Sequence, residues 1–370
     1  MKLIIQIPCF NEEGQLPVTL PGLPREVEGF DAVEWLIIDD GSADRTVEVA
    51  RAHGVDHVVR LTNHKGLSAA FQAGLDAGLK LGADVIVNTD ADNQYDGADV
   101  TRLVEPILRG AADMVVGDRQ VRANEHFSGL TRLLQRFGSW VVRHASSTDV
   151  SDVTSGFRAY NREAALQLQV VSSFTYTLET IIQAGKLLVA VEHVPVRTHP
   201  RTRESRLFPS TSTYVRRNAL SIFRLYSQYQ PLKVFWGGAV VMGLGALALF
   251  IRFLIIFIEN PSTAGRGHIQ SLIAGAVLFI GAMLLGSLGV IGDLLDAQRT
   301  ISQRTFERVR RIELQLGIAP SHYEPGWAGE PPGDGGNGAV GHEAGGAGRR
   351  GADGTAGHDA ASAGREALEV

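Results

Sequence analysis

Cysteine is almost missing: Cys9 is the only one in 370 residues. That excludes a disulfide framework and a cysteine-rich metal site, and its place in an apolar run makes Cys9 a small core residue rather than a nucleophile. No G-x-G-x-x-G follows the first apolar run and no G-x-x-x-x-G-K-[ST] occurs anywhere, which argues against a dinucleotide enzyme and a P-loop NTPase. Bulk basicity is also lacking. The formal charge of −5 gives no reason to expect nucleic acid as a partner. Near Met1 there is no long apolar run either, so no secretory signal is expected.

What is present falls into three regimes: a mixed part to about Gln230, an apolar part to about Leu295, and a Gly/Ala-rich tail after Pro320. In the first, β-branched runs alternate with helical patterns. Strands are expected at Leu3–Ile7, Trp35–Ile38, His57–Leu61, within Val85–Gln94, and at Met114–Val116 and Val189–Val196. Helices are expected after Asn11, which can cap one, and at Val47–Ala52, Ala69–Leu81, Val100–Arg109 and Phe174–Ala184. Such alternation predicts an α/β fold built on parallel βαβ units.

Ligands of an open α/β sheet bind outside the carboxyl ends of its strands. Polar clusters fall at four of those ends: Pro8/Asn11/Glu12, Asp39/Asp40, Lys65 and Asp90/Asp92/Gln94. Asp90-Ala91-Asp92, read alone, fits a solvated turn or a metal site equally well. Residues i and i+2 of an extended segment share a side, so Asp90 and Asp92 can face one cation, with the Gln94 amide oxygen as a third ligand. Oxygen donors of this kind suit Mg²⁺ or Mn²⁺. Rim carboxylates can also accept from a base N–H or ribose hydroxyls. Four clusters on one rim favour a nucleotide site over four ordinary turns.

The segments Ile7–Glu13, Asp39–Thr46, Lys65–Ala70, Asp90–Gln94, Gly117-Asp118-Arg119 and Thr154–Ala159 together resemble the inverting family 2 glycosyltransferases. Within them the similarity is to the dolichol-phosphate-mannose synthase-like, polyprenyl-phosphate glycosyltransferase branch, over roughly residues 3–230. The resemblance implies a GT-A fold, a nucleotide-sugar-binding mixed sheet with helices on both faces. It implies that Pro8, Phe10, Glu12 and Asp39 line the nucleotide pocket, with Asp40 and Lys65 on the same rim. Asp90, Asp92 and Gln94 would handle metal and diphosphate, and Arg119, Arg132 and Ser155 would face an acceptor phosphate. Glu179 matches a glutamate of the acceptor-side wall, although the residue by itself reads equally as a surface glutamate. Phe10 stands where the family often has Tyr, and Asp118 where it usually has Ser. Both the Q-x-x-R-W motif of polysaccharide-making relatives and the Glu-Asp pair that serves many as base are absent.

The missing base has a chemical reading. A hydroxyl nucleophile needs a positioned base, whereas a phosphate monoester, with a second pKa of about 6, is already anionic at neutral pH. A lipid-phosphate acceptor therefore needs cations rather than a base. Arg119, Arg132 and one or more of Arg201, Arg203 and Arg206 are the candidates.

Residues 197–233 hold eight basic residues against one acid, Glu204, with aromatic and aliphatic residues between them, the pattern of basic helices on an anionic membrane face. Val234–Ile258 then carries one charge, Arg252, read as snorkelling, and Leu272–Gly292 carries none. About 20 apolar residues span a bilayer, so a two-helix transmembrane hairpin is expected, with both ends cytoplasmic by the positive-inside rule. The expected organisation is a catalytic domain at 1–196, interfacial helices at 197–233, a hairpin at 234–292 (spans 234–258 and 272–292), a cytoplasmic helix within 293–319 and a disordered tail at 320–370. The expected partners are a nucleotide-diphosphate sugar (GDP-mannose or UDP-glucose type), a polyprenyl phosphate, the cell membrane and a second copy of the chain. Two rivals stand beside this: a membrane glycosyltransferase acting on a sugar hydroxyl of a lipid-linked glycan, with Asp149 or Asp152 as base, and a non-enzymatic membrane scaffold.

Overall fold

Alternation along the first strand decides the layering. Leu3, Ile5 and Ile7 of β1 (Lys2–Cys9) join one core with Val85 and Val87 of β4 (Val85–Asn88), while Ile4 joins the other with Ile86. Period-two side chains therefore bury both faces of the sheet. Each such Ile or Val contributes roughly 1.5–3 kcal/mol on burial. A computed structural model of the chain describes residues 1–119, 150–171, 176–199, 227, 230–259 and 269–325. All belong to one unit, Met1–Ala328.

Eight strands form one mixed sheet in the order β7-β5-β6-β4-β1-β2-β3-β8. Besides β1 and β4 these are β2 (Ala32–Asp39), β3 (His57–Arg60), β5 (Met114–Asp118), β6 (Arg158–Asn161), β7 (Val191–Pro195) and β8 (Tyr323–Pro325). The pairs β1/β2, β1/β4, β2/β3 and β5/β7 are parallel; β6 runs antiparallel between β4 and β5. The carboxyl ends of β1 to β5 and β7 thus share one edge with the start of β6, where Asn88 pairs with Arg158. Helices α1 (Leu16–Thr19), α2 (Thr46–Ala52) and α4 (Val100–Leu108) contribute to the core containing Leu3. Helices α3 (Leu67–Lys80), α5 (Arg162–Gln167) and α6 (Tyr176–Lys186) contribute to the core containing Ile4.

Two elements differ from expectation. Asn11 caps no helix: it sits at φ 55, its Oδ1 accepts from the Ala43 amide at 2.8 Å, and α1 begins at Leu16. Its side chain is spent on joining two rim loops. The tail is not irregular from residue 320, because β8 pairs antiparallel with β3 and the Arg60 amide donates to the His322 carbonyl at 2.9 Å.

Two further helices, α7 (Pro231–Glu259) and α8 (Ile269–Gln315), are long and apolar enough to cross a membrane. They meet through small residues. Gly243 faces Ala282, while Gly275 lies against Phe250 and Gly289 against Trp236, as membrane helices without a hydrophobic driving force between them require. Val241, Leu244, Ile258, Val277 and Leu284 face outward, each more than half exposed. The expected break between the second span and a separate helix after residue 292 is absent. No proline interrupts Asp293–Ile301, and α8 runs on for 47 residues, about 70 Å. The segments around Arg132 and Arg201–Arg206, the connection after Glu259 and the chain beyond Pro325 lie outside the described residues.

Candidate active site

The parallel register brings the predicted rim together. Cys9 lies beside Asp39, and Gln6 beside Asn88. Asp39 is fully buried at the end of β2. One of its oxygens accepts from the Ser42 amide at 3.0 Å; the other has no hydrogen-bond partner among the described residues, with Arg60 Nε at 3.4 Å as an ion pair. A buried carboxylate oxygen in that state is costly and marks a place for a donor such as a base N–H. Asp40 behaves differently. Its oxygens accept from the Lys65 and Gly66 amides at 2.7 and 2.8 Å, and Oδ2 also pairs with His64 Nδ1 at 2.8 Å. Asp40 therefore fixes the 64–66 loop rather than offering an open oxygen to a nucleotide, and the exposed Lys65 is tied to it through its backbone, not its amine.

Phe10 is 37 % exposed and stacks on His64, centroids 4.0 Å apart. This leaves an aromatic pair on the rim beside buried Pro8 and Asp39. Sequence reasoning missed His64; its adjacency to Lys65 was the available signal. Glu12 is buried, and its amide donates to Thr46 Oγ1 at 2.8 Å, so it holds the β1 loop against α2.

At the end of β4, Asp90 and Asp92 are half-buried on either side of Ala91, whose carbonyl is fixed by Thr19 Oγ1 at 2.7 Å. Burial, then the neighbouring Asp92 charge, pushes the Asp90 carboxyl up to about 7. Two carboxylates held so that one resists ionising suit a divalent cation, which would relieve the strain between them. Among the described residues no third His, Cys, Asp or Glu completes a cluster around them. That matches Mg²⁺-type binding, where one or two carboxylates share the ion with substrate phosphates. Gln94 takes part through its backbone: its amide donates to Asp92 Oδ1 at 3.1 Å and its carbonyl accepts from the His199 amide at 2.9 Å.

Behind Asp90 the wall is tight. A Cβ on Gly156 would lie 2.9 Å from both Asp90 Oδ2 and Tyr176 Oη, so only glycine fits there. Asn88 Nδ2 donates to the Gly156 carbonyl at 2.8 Å and to Tyr176 Oη at 3.0 Å, and the Gly156 amide donates to Tyr95 Oη at 3.0 Å. Arg158, fully buried, donates to the carbonyls of Ser155, Val153 and Thr177 and to Thr180 Oγ1 at 2.7–2.9 Å. It joins the 153–155 loop to α6, a role that nothing in its local sequence announces.

The acceptor-side expectations fare unevenly. Arg119 leaves the end of β5 on the same edge, but its Nε and one terminal nitrogen grip Asp152 at 2.7 and 3.0 Å and reach Thr154 Oγ1 at 2.8 Å. Burial opposes its charge; the Asp152 carboxylate outweighs that and raises its pKa. The hydrogen bonds of the guanidinium to described residues are made by Nε and this one terminal nitrogen. Ser155 is fully buried, and its backbone carbonyl accepts from Arg158 Nε at 2.7 Å. Glu179 is no surface residue; it is 1 % exposed and paired with Arg299 of α8.

The family model of glycosyl transferase family 2 matches residues 4–168. An uncharacterized protein of Methanocaldococcus jannaschii is 31 % identical over 202 residues, 53 % of this chain and 81 % of that protein. The undecaprenyl-phosphate mannosyltransferase of Micrococcus luteus is 30 % identical over 206 residues, 53 % and 83 % respectively. The crystal structure of glucosyl-3-phosphoglycerate synthase from Mycobacterium tuberculosis aligns over 60 % of this chain and 79 % of its own, at 22 % identity and a TM-score of 0.47. With a family model matching the chain from β1 through β6 and relatives of 30 % identity or more covered over four-fifths of their length, this chain belongs to glycosyl transferase family 2 and is a glycosyltransferase.

Proposed function

We propose that the enzyme transfers a hexose from a nucleotide-diphosphate sugar to the phosphate of a polyprenyl lipid, inverting the anomeric centre in one in-line displacement. The observation that carries this reading is the state of Asp152. Of the two carboxylates named as candidate bases, Asp149 lies outside the described residues and Asp152 is locked to Arg119. Burial works against its charge, but the Arg119 hydrogen bonds prevail and hold it below the usual carboxylate range. A base so acidic is a poor acceptor of a hydroxyl proton. A phosphate nucleophile needs no proton removed, and the name of the Micrococcus luteus relative supports a lipid phosphate as acceptor.

In this reading Phe10 and His64 supply a face for the base, and Asp39 accepts from its N–H. Asp90 and Asp92 hold a Mg²⁺ or Mn²⁺, which when bound neutralises the leaving diphosphate. Arg119 faces the incoming phosphate, with Arg132 and Arg201, Arg203 or Arg206 as further cations. The same reading puts the domain at the cytoplasmic face of the membrane, where a polyprenyl phosphate is presented, and the basic residues flanking the two apolar helices support that side. Incubating membranes that carry the enzyme with labelled GDP-mannose, UDP-glucose or UDP-N-acetylglucosamine and polyprenyl phosphate tests this. Label is expected in an acid-labile, alkali-stable lipid. Label appearing only in glycan hydroxyl products would overturn the phosphate acceptor.

A further inference from the structure

Helix α8 does more than cross the apolar zone. Past Gly292 it runs along the helices on one face of the catalytic sheet and is fastened at two places, around residues 296–299 and 310–313. Asp296 pairs with Lys186 on α6, Arg299 with Glu179 on α6, and Glu313 with Lys80 on α3. Arg310, 3 % exposed, donates to the carbonyls of Ala165 and Leu168 at the end of α5, at 3.0 and 3.3 Å. Arg311 pairs with Glu163. The chain then turns and adds β8 to the sheet edge.

One of these fastenings reaches the active site. Glu179 is 1 % exposed; its Oε1 lies 2.7 Å from Arg299, and its oxygens also accept from Gln183 Nε2 at 3.2 Å and the Val171 amide at 3.3 Å. Separating a buried ion pair leaves an uncompensated buried charge, so Arg299 and Glu179 hold α8 and α6 to one relative position. Three residues before Glu179, on the same face of α6, stands Tyr176. Its ring stacks on Phe71 at 4.0 Å, and its hydroxyl accepts from Asn88 and flanks Gly156 opposite the Asp90 carboxylate. The intervening turn of α6 is held by Arg158 to the carbonyls of Val153 and Ser155. The path from Arg299 thus runs through Glu179, the first turn of α6 and Tyr176 to Gly156, where an added Cβ would lie 2.9 Å from an Asp90 oxygen.

We propose that Arg299 is a positioning residue: through Glu179 it sets α6, and with it the Tyr176–Gly156 wall against which Asp90 is placed, so that the second apolar helix governs the geometry of the transfer site. The proposal rests on the assignment of Asp90 to donor diphosphate binding.

The test uses the full-length enzyme reconstituted in lipid vesicles and compares Arg299→Ala, Arg299→Lys, Glu179→Gln and the control Arg311→Ala, whose ion pair holds α8 to α5 away from this path. Two rates are read at saturating Mn²⁺: sugar transfer to polyprenyl phosphate, and donor hydrolysis to water. Thermal midpoints are measured alongside. Arg299→Ala and Glu179→Gln should each lower kcat at least tenfold in both assays at a temperature well below their midpoints, the double variant falling no further than the worse single. Arg299→Lys should restore most of the rate, and Arg311→Ala should stay within twofold of wild type. Variants that lose thermal stability yet keep wild-type kcat at low temperature would overturn the proposal and leave the pair a fastening only. Should Arg299→Ala fail to fold, Glu179→Gln, which keeps the side-chain volume, carries the same decision. Failure of the functional reading looks different: wild type itself would hydrolyse donor but transfer nothing to polyprenyl phosphate.

Discussion

The guanidinium of Arg119 meets the carboxylate of Asp152 side-on, Nε to Oδ2 at 2.7 Å and a terminal nitrogen to Oδ1 at 3.0 Å. Two parallel charge-assisted hydrogen bonds fix the plane of the guanidinium as well as its position. Both groups are more than four-fifths shielded, with side-chain exposures of 17 % and 7 %. Asp152 is thereby an aiming device for Arg119.

Replacing Asp152 with Asn separates the two roles that this carboxylate could have. Removal of a general base costs about 10²–10⁴ in rate and abolishes the acidic limb of the pH profile. Loss of an aiming contact leaves one of the two hydrogen bonds possible and the nucleophile untouched. Asp152→Asn is expected to lower transfer to polyprenyl phosphate by about tenfold or less with an unshifted pH–rate profile, since Arg119 keeps its charge. Steady-state kinetics from pH 5.5 to 9 decide it; a vanished acidic limb would make Asp152 the base.

Asp92→Ala removes one of the two carboxylates at the end of β4. Interactions with charge developing on a leaving group are worth about 10²–10³ each in a shielded site. Transfer is expected to fall by about that factor or more, and Mn²⁺-dependent binding of the nucleoside diphosphate, read by calorimetry, should vanish while the thermal midpoint stays near wild type. Retained turnover in this variant would favour a scaffold that has kept only the fold.

Gly156→Ala tests the wall behind Asp90. The added methyl would stand 2.9 Å from an Asp90 oxygen and from the Tyr176 hydroxyl. Neither can retreat far: Tyr176 is 1 % exposed and stacked on Phe71. Overpacking of this kind costs about 1–3 kcal/mol of stability. The larger effect is expected on activity, a loss of about a hundredfold from a carboxylate displaced by a fraction of an ångström. Donor kinetics together with the thermal midpoint distinguish this from general unfolding, which would remove both together.

The sheet and the polar clusters at its edge were readable because each rests on local chemistry: β-branched runs, period-two burial and acidic residues directly after a strand. The same holds for the two apolar helices. What escaped depends on partners distant in sequence. Glu179 reads as a surface glutamate on a short helix until α8, 120 residues later, brings Arg299 to it. Tyr323-Glu324-Pro325 has no strand signature of its own and pairs with β3 only because α8 delivers it there, where Tyr323 Oη meets His57 Nδ1 at 3.0 Å. Asn11 carries the signal of a helix cap but spends its amide on Ala43. Asp40 and Ser155 sit on the expected rim, yet the bonds that Asp40 accepts from the Lys65 and Gly66 amides, and the Ser155 carbonyl from Arg158, follow from no local pattern.

The carboxyl of Asp90 gives a prediction in pH. Burial, with Asp92 second, raises it from 3.8 to about 7 in the folded chain, whereas in the unfolded chain it takes its ordinary value. The folded state therefore binds the proton more tightly, and the stability associated with the neutral carboxyl is present below about pH 4 and lost as pH rises to about 7. Without metal, the thermal midpoint of wild type should fall across that window relative to Asp90→Asn, which has nothing to ionise there. Adding Mn²⁺ should act in the opposite sense. A cation binds the ionised form, so the midpoint gained from it should be small at pH 5 and grow toward pH 8 in wild type, with little gain in the variant. Thermal unfolding of the detergent-solubilised protein from pH 5 to 8, with and without Mn²⁺, reads both effects. Equal slopes in wild type and Asp90→Asn would remove Asp90 as their origin. A metal gain independent of pH would place the cation on groups other than Asp90.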